Sequence, residues 1–495
     1  MSARQTAITA EQLASLSHEF RTPLNGVLGM AQLLAGTRLT AEQQSYVSAL
    51  AESGQHLLGL VNEVLDFAKL GAGRIETQAA EFDLEDLLRQ VAELVAPRAH
   101  EKGLEIGWAA APGLSRLTTD EGRLRQVLLN FLGNAVKFTQ AGGVLLTAEP
   151  RGGAIRFTVA DSGPGVPAAD RARVFEPFVQ TDPAHAHQLG GAGLGLAIAQ
   201  RLAEAMGGAV GLDASPLGGA AFWVELPGRA GVPDQALAGR RVVVASARPA
   251  LRDAAARQVA ASGGEAVQVA SRAEAVAAAA DVILIDEALI GEAPAAALGA
   301  PAIVLLSPAE RDRIAARRRQ GFEGYLIKPL RRRSLAERIG LALGQAAEAA
   351  PEEDDRIVQA ELSGRRVLLA EDDPISAILA RTLLAREGCE VDHVANGEAA
   401  VEAAAAGAYD LILMDVRMPR LSGMEAARRL RAQGAATPIV ALTADAFEDD
   451  RRACLAAGMD DFLVKPLAPE ALRGVLTRWA ADGWTRPAAH AKLAG

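Results

Sequence analysis

RRVLLAEDDP, residues 365–374, and RRVVVASARP, residues 240–249, share one frame: two arginines, an apolar run of strand length, and a polar turn closed by proline. The likeness continues downstream in step. DVILIDEAL (281–289) parallels DLILMDVRM (410–418), PAIVLLSP (301–308) parallels TPIVALTA (437–444), and GYLIKPL (324–330) parallels DFLVKPL (461–467). Repetition at a fixed offset means one supersecondary design used twice. Short Val/Ile/Leu runs alternate with alanine-rich helical stretches in both copies, which predicts two five-stranded parallel sheets of doubly wound (βα)5 type over 239–345 and 364–482.

Outward from the repeat, the chain changes character. Residues 9–35 and 40–70 place apolar side chains at three- and four-residue spacing: Leu13, Leu16, Phe20, Leu24, Val27 and Leu28, then Leu50, Leu57, Leu58, Val61, Val64 and Leu65. That pattern predicts two amphipathic helices. A hairpin alone cannot hide both stripes, so residues 9–72 are expected to pair with a second copy as a four-helix bundle, giving a homodimer. In 78–228, EDLLRQVAELVAPRA (85–99) and DEGRLRQVLLNFLGNAVKFT (120–139) read as helices, while GVLLTAEP (143–150) and AIRFTVAD (154–161) read as paired strands. Helices grouped on one side of an antiparallel sheet make an α+β, α/β-sandwich layer. Residues 346–363 carry six acidic side chains and one arginine and read as a linker.

At 495 residues three or four domains are expected. A formal charge of 51 − 61 = −10 argues against a nucleic-acid coat. Cys389 and Cys454 form no CxxC pair, so neither a disulfide framework nor a zinc site is expected, and a reducing compartment fits. The uncharged stretch 293–309 is broken by Pro294, Pro301 and Pro308 and reads as loop plus one buried strand, not a membrane span. MSARQTAITAEQ lacks the apolar core of a signal peptide, so a cytoplasmic protein is expected, without a sensor domain at its front.

LSHEFRTPLNGVLGM (16–30) sets His18 beside Glu19 on a helical pattern, with Pro23 five residues on. A neutral imidazole nitrogen is a nucleophile near pH 7, and the carboxylate can take its other proton. Pro23 removes a backbone donor and bends the helix beyond His18. The whole string resembles the phosphoacceptor box of sensor histidine kinases; the resemblance implies that His18 accepts a phosphoryl group and that Thr22 orients a water in the reverse, phosphatase reaction.

NFLGNAVKF (130–138) puts Asn130, Asn134 and Lys137 on one helix face, where the amides can hold Mg²⁺ and phosphate oxygens and Lys137 adds charge. DSGPGV (161–166) supplies Asp161, able to accept from an adenine amino group, with Gly163 and Gly165 letting the backbone approach. GGAGLGLAIAQ (190–200) offers Gly191, Gly193, Gly195 and Leu196 ahead of a helix whose N-terminal amides suit phosphates. Their order resembles the ATP-binding domain of histidine kinases, which implies ATP as substrate.

The C-terminal repeat resembles a response-regulator receiver, a flavodoxin-like fold. Asp372, Asp373 and Asp415 are expected to hold Mg²⁺, Asp415 to attack phosphorus, and Thr443 and Lys465 to contact the phosphoryl oxygens. The first repeat keeps Asp286, Ser307 and Lys328, but Ala247 and Arg248 stand at the places assigned to Asp372 and Asp373. A pseudo-receiver is expected there, unphosphorylated, with Arg248 as a fixed cation in place of the metal.

Residues 301–340 hold ten basic and four acidic side chains, net +6. Arg can pair bidentately with guanine edges or phosphates, and Tyr can stack on a base. The architecture resembles the ShkA-type hybrid histidine kinases that control stalk formation in stalked alphaproteobacteria. The resemblance implies cyclic di-GMP on the pseudo-receiver through Arg311, Tyr325, Ile327, Pro329 and Arg331. In the linker, Asp354, Asp355 and Arg356 lie in PEEDDRIV, where carboxylates can imitate the ligand's phosphates and hold the enzyme inactive. The reading is a hybrid kinase passing phosphate from ATP to His18, to Asp415, and to a separate histidine phosphotransfer protein, without nucleic acid or membrane span. A cyclic-di-GMP-binding scaffold and a net phosphatase are the alternatives.

Overall fold

A computed structural model describes residues 77–179, 193–345, 364–443 and 453–479, apart from 293, 466 and 468, with scattered positions between 24 and 57. His18, Glu19, Thr22, Gly191, Asp354, Asp355 and Arg356 lie outside the described residues. The chain divides into two compact units, 66–354 and 1–65 with 355–495.

The 66–354 unit begins with β1 (Ala80–Asp83), α1 (Leu84–Glu101), β2 (Glu105–Ala110), β3 (Arg116–Thr119) and α2 (Glu121–Phe138). It continues through β4 (Gly143–Arg151), β5 (Ala154–Asp161), α3 (Gly195–Ala205), β6 (Ala209–Ala214) and β7 (Ala220–Pro227). Asp83 and Asp120 start the two long helices by accepting from the amides of Asp86 and Arg123, each at 3.0 Å. One apolar stripe of each helix, Leu87, Leu88 and Val91 on α1 and Leu124, Leu128 and Phe131 on α2, is buried against Leu146, Phe157 and Val224 of the sheet. The sheet runs β2-β4-β5-β7-β6. It is mixed rather than wholly antiparallel: β2 lies parallel to β4 because α2 is the crossover between them.

The second half of this unit is β8 (Arg241–Ala245), α4 (Pro249–Ala261), β9 (Glu265–Val269), α5 (Arg272–Ala277), β10 (Val282–Asp286), β11 (Ala302–Leu306), α6 (Ile314–Arg319), β12 (Gly324–Ile327) and α7 (Arg332–Ala342). Its five strands are parallel, ordered β9-β8-β10-β11-β12. Helix α4 is sandwiched. Leu251, Ala255 and Val259 face its own sheet, while Ala250 and Ala254 approach β2 and β4. A Cβ on Gly107 would lie 2.6 Å from Ala254 Cβ, and one on Gly143 would lie 2.8 Å from Ala250 Cβ. This covering explains why all six residues of β2, an edge strand, are buried.

In the other unit, residues 26–31 and 42–50 are helical. Leu28 is buried, and a Cβ on Gly54, itself helical, would lie 2.9 Å from its side chain, so the first stretch packs against the chain at Gly54. The remainder is β13 (Arg366–Ala370), α8 (Pro374–Arg386), β14 (Glu390–Val394), α9 (Gly397–Ala406), β15 (Leu411–Asp415), α10 (Gly423–Ala432), β16 (Ile439–Thr443), β17 (Asp461–Val464) and α11 (Pro469–Trp479). The parallel order β14-β13-β15-β16-β17 repeats that of the middle domain. Among the described residues no helix is long and apolar enough to cross a membrane.

Candidate nucleotide and phosphoryl-transfer sites

Asn130, Asn134 and Lys137 are half-buried on α2. Asn130 Nδ2 donates to the Gly195 carbonyl at 3.0 Å, tying α2 to the first turn of α3. That turn has no side-chain cap, so its free amides suit a phosphate. Asp161 ends β5, buried, and its Oδ1 accepts from the amides of Gly163 (2.8 Å) and Ala220 (3.1 Å). Burial raises its carboxyl above the usual range despite those two amides. Gly165 and Gly193 adopt φ of 73° and 71°, where a side chain is strained. Thr139 Oγ1 is enclosed beside Gly163 without a partner, a polar atom left for a ligand. Leu196 packs half-buried against the core.

In the C-terminal sheet, strand ends bring Asp415, Thr443 and Lys465 to one edge. Lys465 Nζ lies 2.5 Å from both Asp415 Oδ2 and Glu371 Oε2. Carboxylate oxygens of Glu371, Asp372 and Asp415 lie within 4.8 Å of one another, an oxygen donor set suited to Mg²⁺. Burial, reinforced by Asp415, pushes Glu371 up to about 8 although Lys465 opposes it. Asp372 is raised by burial and then by Asp415. Burial disfavours charged Lys465, but Asp415 and Glu371 outweigh it and raise its pKa.

Asp373 is not in this set. Its Oδ2 accepts from Ser376 N (2.9 Å) and Oγ (2.7 Å), capping α8 ahead of Pro374. The acid pair expected at Asp372 and Asp373 is therefore displaced one residue, to Glu371 and Asp372. A cap acid before proline with serine three residues on was the available signal.

The same shift corrects the middle domain. Ser246 and Ala247, not Ala247 and Arg248, occupy the places of the acid pair. Ser246 Oγ donates to Asp286 Oδ2 at 2.7 Å, and Lys328 Nζ lies 3.3 Å from Asp286 Oδ1. Arg248 precedes α4, and its guanidinium reaches Glu105 of β2, whose same carboxylate oxygen lies 3.1 Å from Lys328 Nζ, so its fixed positive charge stands beside the Asp286–Lys328 pair. Ser307 Oγ is bonded to Glu310 at 2.7 Å in a capping box.

The basic face is more neutralised than its composition suggests. Arg313 and Arg317 bind Glu287 at 2.9 and 2.5 Å. Burial pushes Glu287 up, but the two guanidinium groups overcome it and hold the carboxyl below its usual range. Sequence reasoning passed over Glu287, although an acid beside Asp286 was visible. Tyr325 is not an exposed platform: it is 7% exposed, with Arg318 and Arg338 each 5.7 Å from its ring centroid. Ile327 and Pro329 are half-buried, and Arg331 Nε is 2.9 Å from Glu93 of α1. Arg311 is half-buried with Nε enclosed and unpartnered.

Comparison with known proteins finds three family models on this chain: the His kinase A phospho-acceptor domain at 9–73, the histidine kinase-, DNA gyrase B- and HSP90-like ATPase at 119–230, and the response regulator receiver domain at 367–477. Sensor histidine kinase GacS of Pseudomonas protegens is 34% identical over 95% of this chain and 55% of its own length. BarA of Escherichia coli K12, a signal transduction histidine-protein kinase, is 31% identical over 95% and 54%. The chain thus spans about half the length of the curated relatives it matches. The crystal structure of full-length ShkA in complex with AMPPNP is 60% identical, covers 96% of this chain and 100% of that one, and superposes with a TM-score of 0.65.

Proposed function

This chain belongs to the hybrid histidine kinases, and we propose that it moves a phosphoryl group from ATP to His18 and then to Asp415, acting as a homodimer. The observation that carries the reading is Lys465 set between Asp415 and Glu371, with a nucleotide pocket on the same chain. A His18 ring nitrogen attacks the γ-phosphorus, ADP leaves, and Glu19 takes the other ring proton. Asp415 then attacks the same phosphorus as the P–N bond breaks, and Glu19 returns its proton to the ring so that His18 leaves as neutral imidazole. Lys465 and Thr443 neutralise and orient the phosphoryl oxygens. Glu371, Asp372 and Asp415 would hold Mg²⁺, which would supply further positive charge against the phosphoryl oxygens, and Asn134 would serve a second Mg²⁺ at ATP. A histidine phosphotransfer protein collects the group.

With γ-labelled ATP, His18→Ala is expected to carry no label, and Asp415→Asn to hold acid-labile label without passing it on. Label on Asp415 in the absence of His18 refutes the order of transfer.

The middle domain reads as a pseudo-receiver gated by cyclic di-GMP. Support comes from the basic surplus, from Arg311 with its unpartnered Nε, and from arginines flanking Tyr325. The ligand would displace Asp354, Asp355 and Arg356 of the linker, shifting the population toward an active state by its differential affinity. Calorimetric titration of the chain with cyclic di-GMP tests this: wild type binds, Arg331→Ala binds at least tenfold more weakly, and absence of heat in wild type removes the reading.

A further inference from the structure

The pocket around Asp286 and Lys328 is filled from the ATP-binding sheet. Glu105, the first residue of β2, places Oε1 3.1 Å from Lys328 Nζ and in contact with the Arg248 guanidinium. The side chains of Glu105, Asp286 and Lys328 are each 3% exposed. In the C-terminal domain the corresponding lysine, Lys465, binds two carboxylates of its own domain, Glu371 and Asp415. In the middle domain Ser246 stands where Glu371 stands, so Lys328 keeps only Asp286 at home. Glu105 supplies the missing carboxylate from the neighbouring domain.

The charges close: Glu105 and Asp286 against Lys328 and Arg248. The surroundings hold the same two domains together. Gln258 Nε2 donates to the Trp108 carbonyl at 2.8 Å and the Leu330 carbonyl at 3.0 Å, wholly buried. Arg332 reaches Glu85 at 2.8 Å, and Arg257 contacts Glu149.

We propose that the lost phosphoacceptor pocket of the middle domain has become a socket for Glu105, fastening the ATP-binding domain so that the two domains move as one body. Asp286 is closed to phosphorylation by the same contact, since Glu105 takes the face of Lys328 that a phosphoryl group needs. The socket works by charge: withdrawing either member leaves an uncompensated buried ion, which is far costlier than losing an exposed pair. Glu105 Oε2 is enclosed without a partner among the described residues, so the carboxylate depends on Lys328 and Arg248 through Oε1 for its compensation.

The test is amide hydrogen exchange on the full chain for Glu105→Gln, Lys328→Met and the double variant. Each single change is expected to speed exchange in 105–110 and 249–261 about tenfold or more, leaving 154–161 as in wild type. The double variant should exchange no faster than the faster single one, because the two side chains share one interaction. Wild-type protection in both single variants, or effects that multiply in the double, overturns the proposal. Should Lys328→Met also lose protection at 282–286 and 302–306, showing a damaged domain, Glu105→Gln decides alone, since it leaves the middle domain's own sequence untouched.

Discussion

Gly107→Ala is the sharpest perturbation of the contact between the ATP-binding sheet and α4. The new Cβ would fall 2.6 Å from Ala254 Cβ and 3.2 Å from the Ala250 carbonyl oxygen. Carbon atoms rest about 3.5–4.0 Å apart, so the surfaces must part by about 1 Å. Neither neighbour can turn aside, one being a methyl fixed to a helix and the other backbone. Overpacking of this kind costs about 1–3 kcal/mol. Glu105 lies two residues away on the same strand, 3.1 Å from Lys328; a parting of about 1 Å carries that pair beyond hydrogen-bond length. Trp108 is adjacent and buried, so urea unfolding followed by tryptophan fluorescence reads the effect directly. The midpoint is expected to fall by the equivalent of about 1–3 kcal/mol, with nucleotide affinity retained. A midpoint equal to wild type refutes the close packing of α4 on β2.

Gly133→Ala should act oppositely: it lies in the interior of α2 with open space around its Cβ position, so thermal unfolding should show a gain of about 1 kcal/mol from helix propensity. Asp373→Ala should cost about 1 kcal/mol by removing the α8 cap while leaving Mg²⁺ affinity within about twofold, whereas Glu371→Gln should weaken Mg²⁺ at least tenfold; isothermal titration separates them. Glu371 sits at about 8 when folded against an ordinary 4.5, so between those values the folded state holds the extra proton. Its contribution is therefore full below about 4.5 and lost as pH rises through about 8. In metal-free buffer the C-terminal domain should lose stability over that window, and Glu371→Gln should flatten the slope; an unchanged slope in the variant excludes Glu371 as its source.

Much of the fold was legible because its signals are local. Two parallel sheets of the same strand order follow from apolar runs bounded by turns, repeated at one offset. The long helices begin at Asp83 and Asp120 because a short acid there satisfies free amides, a rule that acts within three residues. The parallel pairing of β2 with β4 was not legible, since the short EIGWAA run gains its place only through the helix that crosses over between them.

At the sites, sequence by itself established the residue types and their order along the chain: Asp415, Thr443 and Lys465 at successive strand ends, and glycine-rich turns around Asp161. It also placed the acid pair one residue too late, because a carboxylate that caps a helix and one that faces a metal look alike until the side chain's direction is known. Only the tertiary structure decided that Asp373 turns to Ser376, that Tyr325 is buried, and that Glu287 neutralises two arginines. Only it joined Glu105 to Lys328 across a separation of 223 residues. Periodicity and capping report interactions within a few residues, whereas the partner of a buried charge is chosen by how finished domains pack, and that choice leaves no local pattern to read.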